Sequence, residues 1–274
     1  MKEKNVDIQH NGHYAQVTYP EDVKSVVVSG DIHGDFNNLV FKVCCQYEIT
    51  DALVIVAGDC GFGFERYGAY EQIYKKNLKR LRKNNIYLLF IRGNHDNPAY
   101  FNLKKIRWER FLAVPDYTMV YAARKTILTI GGAVSVDRQT RYIHQMTHPA
   151  HHYHGDAVYK PDCYWPGEIP YYSEDLLDLI TKREQIDTVV THTAPSFCEF
   201  SNKNGLKNWA KSDSMLLSDV DRERQTMDNI LWILQQRQMP IKDWVYGHFH
   251  SSWHSSINNI MYTMLDISEL KELH

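Results

Sequence analysis

The chain has 274 residues, 43% hydrophobic and 23% charged, which is enough for a sizeable core and close to the globular average. That balance excludes a disordered chain, a collagen-like repeat and a disulfide mini-scaffold, and 31 basic against 33 acidic residues, a net charge of -2, argue against a general polyanion binder. Five cysteines without a Cys-x-x-Cys pair read as reduced thiols, and no apolar run approaches membrane-spanning length, so a cytoplasmic protein with no membrane span is expected.

In chain order, residues 25–29 (SVVVS) form the first predicted strand, running into GDIHGD. Asp35 then caps a helix to about residue 47, with Leu39, Val43 and Tyr47 on one face. A strand over 52–57 runs into GDCGFG, a helix over 70–83 aligns Tyr70, Ile73, Tyr74, Leu78 and Leu81, and a strand over 86–91 runs into RGNHD. Such short Val/Ile/Leu-rich runs are buried on both faces, and their alternation with helices implies a parallel sheet. Strands over 117–121 and 126–130 read as a hairpin. From 137 to 170 the pattern breaks down into a stretch rich in His, Tyr and Pro. Thereafter come a helix over 173–185, a strand over 187–190 before THTAP, a helix over 219–238 stopped by Pro240, and a strand over 243–246 before GHFH. A last strand, 260–267, follows the turn pair Asn258-Asn259, so a second sheet is expected. No linker or repeat divides the chain, which reads as one α/β domain, 1–274, with an insertion or cap at about 139–163.

Ligands of open α/β sheets bind beyond the carboxyl ends of the strands, and five polar motifs stand at such ends. They supply Asp31, His33, Asp59, Asn94, His95, His192, His248 and His250. Alone, Asp-x-His is a solvated turn and Gly-Asn-His an Asx turn. Together, these ionisable groups would repel or bury charge unless a metal held them. Mixed nitrogen and oxygen donors suit Mn, Fe, Zn or Co better than Ca or Mg, and the lack of thiolates argues against a structural zinc cage.

In this order GDIHG, GDCG, RGNHD, THTAP and GHFH resemble the five signature blocks of the calcineurin-like metallophosphoesterase superfamily, over residues 31–250. GGAVSVDR (131–138) and YWPGEIP (164–170) further resemble a small bacterial and phage branch of it. The resemblance implies a two-sheet β-sandwich flanked by helices, with two divalent metal ions (Mn, Fe or Zn) along one edge. It implies Asp31, His33 and His250 on the first ion, Asn94, His192 and His248 on the second, and Asp59 bridging. Water between two such ions becomes hydroxide near neutral pH and can attack phosphorus in line, with His95 as general acid. The plainer reading of His95 is a loop residue bonded to backbone. The expected activity is hydrolysis of phosphomonoesters or small nucleotide phosphoesters. A phosphodiesterase or nuclease is the alternative, and a non-catalytic scaffold of the same fold the reading outside enzymes. Nucleic acid enters only as substrate, and no protein partner is inferred.

One departure bears on substrate. Where the protein phosphatases and diadenosine tetraphosphate hydrolases carry GD-x-VDRG, this chain has GDCGFGFERYG, with Phe62 and Gly63 in place of the Asp and Arg, which argues against a protein phosphatase. Arg66, Arg92, Arg138 and Arg141 are the substitute phosphate clamps by chemistry, Arg138 and Arg141 foremost, while Arg92 reads equally as a loop brace. His144, His148, His151, His152 and His154 read as a solvated loop rather than a third metal site, and Tyr142, Tyr153, Tyr159, Tyr164 and Trp165 as a cap or as packing. The segment 139–163 is accordingly expected to be a mobile cap outside the metal site. Lys75, Lys76, Lys79, Arg80, Arg82 and Lys83 read as a solvated helix face. Cys44 and Cys45 read as packing residues and Cys60 as an oxidation-sensitive position.

Overall fold

The computed structural model describes residues 6–10, 12–147, 151–153, 156–158, 163–198 and 203–274. The first half carries β1 (Asp7–His10), β2 (Ala15–Thr18), β3 (Ser25–Ser29), β4 (Ala52–Val56), β5 (Ile86–Phe90), β6 (Arg107–Trp108), β7 (Phe111–Ala113), β8 (Thr118–Ala122) and β9 (Lys125–Ile130). The second half adds β10 (His151–Tyr153), β11 (Asp156–Val158), β12 (Thr188–Thr191), β13 (Asp243–Tyr246), β14 (Trp253–Ile257), β15 (Ile260–Met264) and β16 (Leu270–Glu272). The helices are α1 (Phe36–Phe41), α2 (Tyr67–Lys83), α3 (Arg138–Thr147), α4 (Glu174–Thr181), α5 (Lys203–Trp209) and α6 (Leu216–Gln236).

Two sheets dominate, one of six strands in the order β16-β3-β4-β5-β7-β6 and one of eight in the order β1-β2-β8-β9-β12-β13-β15-β14. Strand alternation sets the layers. Val26 and Val28 of β3 join Leu53, Ile55 and Leu89 against Val120, Ile127, Val190 and Val245 of the other sheet. Val27, Val54, Val56, Leu88 and Phe90 turn the other way, onto Phe36, Leu39, Tyr70 and Leu81 of α1 and α2. Val189, Trp244 and Tyr246 likewise meet Leu177 and Ile180 of α4 and Met227 and Ile230 of α6. The result is helices, sheet, sheet, helices: a two-sheet β-sandwich flanked by helices. β3, β4, β5 and β7 pair in parallel, as do β9, β12, β13 and β15, so the carboxyl ends of β3, β4, β5, β12 and β13 can meet at one edge. No described helix is long and apolar enough to cross a membrane.

Several expected elements shift for physical reasons. The first helix does start after Asp35, whose side chain accepts from Asn38 N, but it passes into a π-helical turn over Lys42–Gln46. The wider turn changes the phase, so Leu39, Val43 and Cys44 are buried while Tyr47 is 56% exposed. The predicted hairpin closes on Ala123 and Arg124, both at positive φ, so each strand runs closer to the turn than its sequence pattern suggests. The largest correction is α3, a helix over Arg138–Thr147 where a structureless segment is expected. Among the doubtful histidines, His148 and the side chains of His151, His152 and His154 lie outside the described residues, as do those of Tyr153 and Tyr159. Cys60 is fully buried and its thiol pKa is pushed well up, by burial first and then by the nearby Asp96 carboxylate, so it is not poised for oxidation.

Candidate metal centre

The six-stranded sheet delivers Asp31 and His33 after β3, Asp59 after β4, and Asn94 and His95 after β5, while the eight-stranded sheet delivers His192 after β12 and His248 and His250 after β13. His33, Asp59, His248 and His250 all have positive φ, the strained backbone that clusters at functional sites. Asp31, His33, Asp59 and His250 bring one ligating atom each within 4.8 Å of one another. Within this group His250 Nε2 lies 3.0 Å from both Asp31 Oδ2 and His33 Nε2. Two donors about 2.1 Å from one ion and at right angles to each other would be about 3 Å apart, so that spacing fits a shared ion.

A second group gathers round His192. Its Nε2 is 3.0 Å from Asn94 Oδ1 and 3.4 Å from Asp59 Oδ1, and its ring centroid is 5.0 Å from that of His248. His192 Nδ1 is 2.7 Å from the carbonyl of Ala57, which turns Nε2 toward the carboxylate. Asn94 Nδ2 donates to Ser135 Oγ, leaving Oδ1 for the site; Ser135 in turn donates through both Oγ and N to Glu168.

The charges demand a cation. Asp31 and Asp59 are buried to 0% and 1% exposure. Burial would raise the Asp59 pKa, but His192, then His95, outweigh it and hold the carboxyl well below its usual range. Burial would depress the His192 imidazole, yet Asp59 and Asp31 lift it to about 9. The bond to Asp31 raises His250, whereas burial, followed by His192, keeps His248 well below the usual imidazole range. Protons thus supply part of the positive charge that divalent ions would supply, releasing those protons as they bind. The oxygen and imidazole set fits such ions.

The family model of the calcineurin-like phosphoesterases matches residues 24–252. The chain belongs to this family. It is a binuclear metal-dependent phosphoesterase, a hydrolase of phosphoesters. None of the curated proteins matches the sequence. Among solved structures, TT1561 of Thermus thermophilus is 10% identical with a TM-score of 0.51, the alignment covering 92% of this chain and 99% of that one. The phosphopantetheinyl hydrolase of Mycobacterium tuberculosis is 14% identical with a TM-score of 0.44, covering 93% and 97%. A dimetal phosphatase from Danio rerio is 11% identical with a TM-score of 0.43, covering 90% and 88%. The likeness to TT1561 extends to the fold alone.

Around the phosphoesterase centre stand groups that sequence reasoning passed over. Asp96, fully buried, accepts four backbone N–H bonds, from Gly61 and Phe62 on Oδ1 and from Cys60 and Gly93 on Oδ2, tying the Asp59 loop to the Asn94 loop. Burial and then the Asp59 carboxylate push its pKa up to about 6 against the pull of these amides. Glu223 of α6 accepts from Val134 N and Thr193 Oγ, joining the ends of β9 and β12. The one sign of Asp96 in the sequence is an acid directly after Asn94 and His95; Glu223 carries none.

His95 N donates to Asp59 Oδ1 at 2.8 Å, and His95 Nε2 lies 3.9 Å from Asp59 Oδ2, so the side chain faces the centre. The arginines differ from expectation. Arg138 is held by Asp213 and Asp219, because the start of α3 docks on the start of α6, and so is not a free clamp. Arg92 binds Asp116 and the carbonyls of Gly167, Glu168 and Ile169, the loop brace. Arg141 is 3% exposed and bonded to Asp137, the Cys163 carbonyl and His95. Arg66 is half-buried just before α2. Because Arg141 and Cys163 belong to 139–163, that segment is not a cap detached from the centre.

Backbone proximity gives one prediction. A Cβ on Gly93 would fall 2.0 Å from Asp59 Oδ1 and 2.1 Å from Asp59 N. Gly93→Ala is expected to destabilise the protein by about 1–3 kcal/mol and to weaken metal binding. Thermal unfolding and elemental analysis measure both; wild-type values in each would contradict the close approach.

Proposed function

We propose that the chain hydrolyses phosphomonoesters or small nucleotide phosphoesters, with Asp31, His33 and His250 holding one divalent ion, Asn94, His192 and His248 the other, Asp59 between them, and His95 as general acid. The observation that carries this reading is His95: its Nε2 faces the Asp59 carboxylate beside both ligand groups, while its backbone is fixed by the same carboxylate. Mn, Fe or Zn suits the mixed donors. Bound there, the ions would lower the pKa of water and neutralise phosphoryl charge.

The chain's own groups do the rest. Asp59 keeps the His95 loop against the ligand cluster, Asp31 orients His250, and Asn94 is aimed by Ser135. His95 gives its Nε2 proton to the departing oxygen as the P–O bond breaks, so the products are an alcohol and phosphate. A compact substrate is favoured because Arg92, Arg138 and Arg141 are committed to carboxylates and carbonyls rather than arrayed as a track for a polyanion. One domain in the cytoplasm agrees with the five free thiols.

His95→Gln tests the reading. The variant is expected to keep its metal while losing about 10²-fold or more in kcat on alkyl phosphates and much less on p-nitrophenyl phosphate, since a general acid matters most for a poor leaving group. Equal losses on both would reassign His95 to phosphate binding. A parallel panel of mono- and diesters reads substrate class, and faster turnover of diesters would overturn the monoester assignment.

A further inference from the structure

α2 buries Tyr70 and Leu81 against the six-stranded sheet and turns Lys75, Lys76, Lys79, Arg80, Arg82 and Lys83 outward, all six exposed. The helix dipole favours cations in a last turn, which accounts for Arg80, Arg82 and Lys83 but not for what lies beside them. Residues 100–109 run alongside α2 in the same direction. Tyr100 meets Tyr70 with ring centroids 5.4 Å apart, Trp108 stacks on Tyr74 at 5.0 Å, and Glu109 pairs with Arg82. That segment exposes Lys104, Lys105 and Arg107, so the fold sets a second row of cations next to the one legible on the helix. The acids of residues 67–110 do not neutralise the two rows. Asp96 is buried in the loops of the centre, Glu71 is taken by Lys75 at 2.6 Å, and Glu109 by Arg82 and Arg110. The side chains of Lys76, Lys79, Lys83, Lys104 and Arg107 make no hydrogen bond or ion pair among the described residues. A chain of net charge -2 thus holds nine of its 31 basic residues together on one exposed face.

We propose that this face is a docking surface for the phosphate backbone of nucleic acid, separate from the metal centre. Exposed cations that meet a row of phosphates release condensed counterions, an attraction that needs many charges and no deep pocket. An anionic membrane would offer the same sign of charge. A helix that lies on a bilayer also inserts apolar side chains, however, and none of the exposed large hydrophobic residues falls between 67 and 110. Position separates docking from catalysis. α2 ends at Lys83, β5 opens at Ile86, and β5 runs toward the centre. The basic end of α2 therefore stands at the opposite edge of the sheet, roughly 17 Å of strand away. Docking holds the phosphoesterase on nucleic acid while the centre stays open to small esters, and it does not depend on which ester is hydrolysed there.

Fluorescence anisotropy of a short labelled DNA duplex of arbitrary sequence, lacking terminal phosphates and titrated with the metal-loaded protein, tests the proposal. Binding is expected with a Kd of about 1–100 μM at physiological salt, and log K should fall against log salt with a slope of about -5, as five or six phosphate contacts require. Lys76→Glu/Lys79→Glu/Lys83→Glu alters only exposed side chains without partners, so the fold is kept. It is expected to weaken binding about ten-fold or more and to flatten the slope by about 3. Lys104→Glu/Arg107→Glu should also weaken binding and flatten the slope by about 2, because both rows contribute. Metal content and turnover of p-nitrophenyl phosphate are expected to stay at wild-type values in both variants, and saturating duplex should leave wild-type turnover unchanged. Absence of binding, a slope near zero, or either variant binding like the wild type would overturn the proposal. Tighter binding to phosphatidylserine vesicles or to polyglutamate than to the duplex would overturn nucleic acid as the partner, and inhibition of turnover by the duplex would overturn a docking surface separate from the centre.

Discussion

Asp59→Asn is expected to abolish turnover, with a fall on the order of 10³-fold or more, and to lower the occupancy of both metal positions together. One side chain answers for two because of where it stands. Its Oδ1 is 3.4 Å from His192 Nε2 and takes the His95 amide, and the residue also belongs to the cluster with Asp31, His33 and His250. Removing its charge leaves Asp31 as the one carboxylate among the proposed ligands to balance two divalent ions, and an uncompensated buried charge costs about 3–5 kcal/mol. An amide retains the size and one acceptor, so the fold is kept and the loss is read as metal binding. Elemental analysis after gel filtration measures it, supported by the rise in melting temperature on adding metal, which should shrink in the variant. Full occupancy in a folded Asp59→Asn protein would remove Asp59 from its central position.

Asp96→Asn is expected to be nearly as damaging by a different route. Each carboxylate oxygen of Asp96 accepts two backbone amides, and an asparagine must turn its own N–H2 toward one of those pairs. Two N–H groups then lose their acceptor inside the protein and face further donors, at about 1–3 kcal/mol each. A destabilisation of about 3–5 kcal/mol follows, and the loops that present Asp59 and Asn94 separate. Urea unfolding of the metal-free proteins isolates the structural effect, because it does not depend on bound ions. A midpoint within error of the wild type would show that Asp96 does not hold the loops.

These two residues mark how far the sequence could be read. Asp59 was legible because its signal is local: an apolar run ends in Gly-Asp, and the β-strand periodicity places that end at the sheet edge. The same applies to Asp31, Asn94, His192 and His248, each set by its own strand. Asp96 stands beside residues that were singled out, yet its work is done with amides 34 to 36 positions earlier as well as with Gly93. Nothing local reports such a partner. Ser135 with Glu168, and Glu223 with Val134 and Thr193, were hidden in the same way, since an isolated Ser or Glu has no pattern.

The segment after Asp137 is hard to read from sequence for another reason. Its five histidines and its prolines drew attention to composition, while the short helical signal of Arg138 and Arg141 on one buried face was carried by charged residues that normally mark solvent. The carboxylates of Asp213, Asp219 and Asp137 help to turn that face inward. At the other end, the π-helical turn after Phe41 exchanges Cys44 for Tyr47 in the core, a phase change that no fixed periodicity anticipates.

Anomalous diffraction from crystals grown with the protein's native metal tests the central claim most directly. Two peaks flanking Asp59 are expected, one about 2.0–2.2 Å from Asp31, His33 and His250 donors and the other at like distances from Asn94, His192 and His248. A single peak, or metal bound away from Asp59, would contradict it.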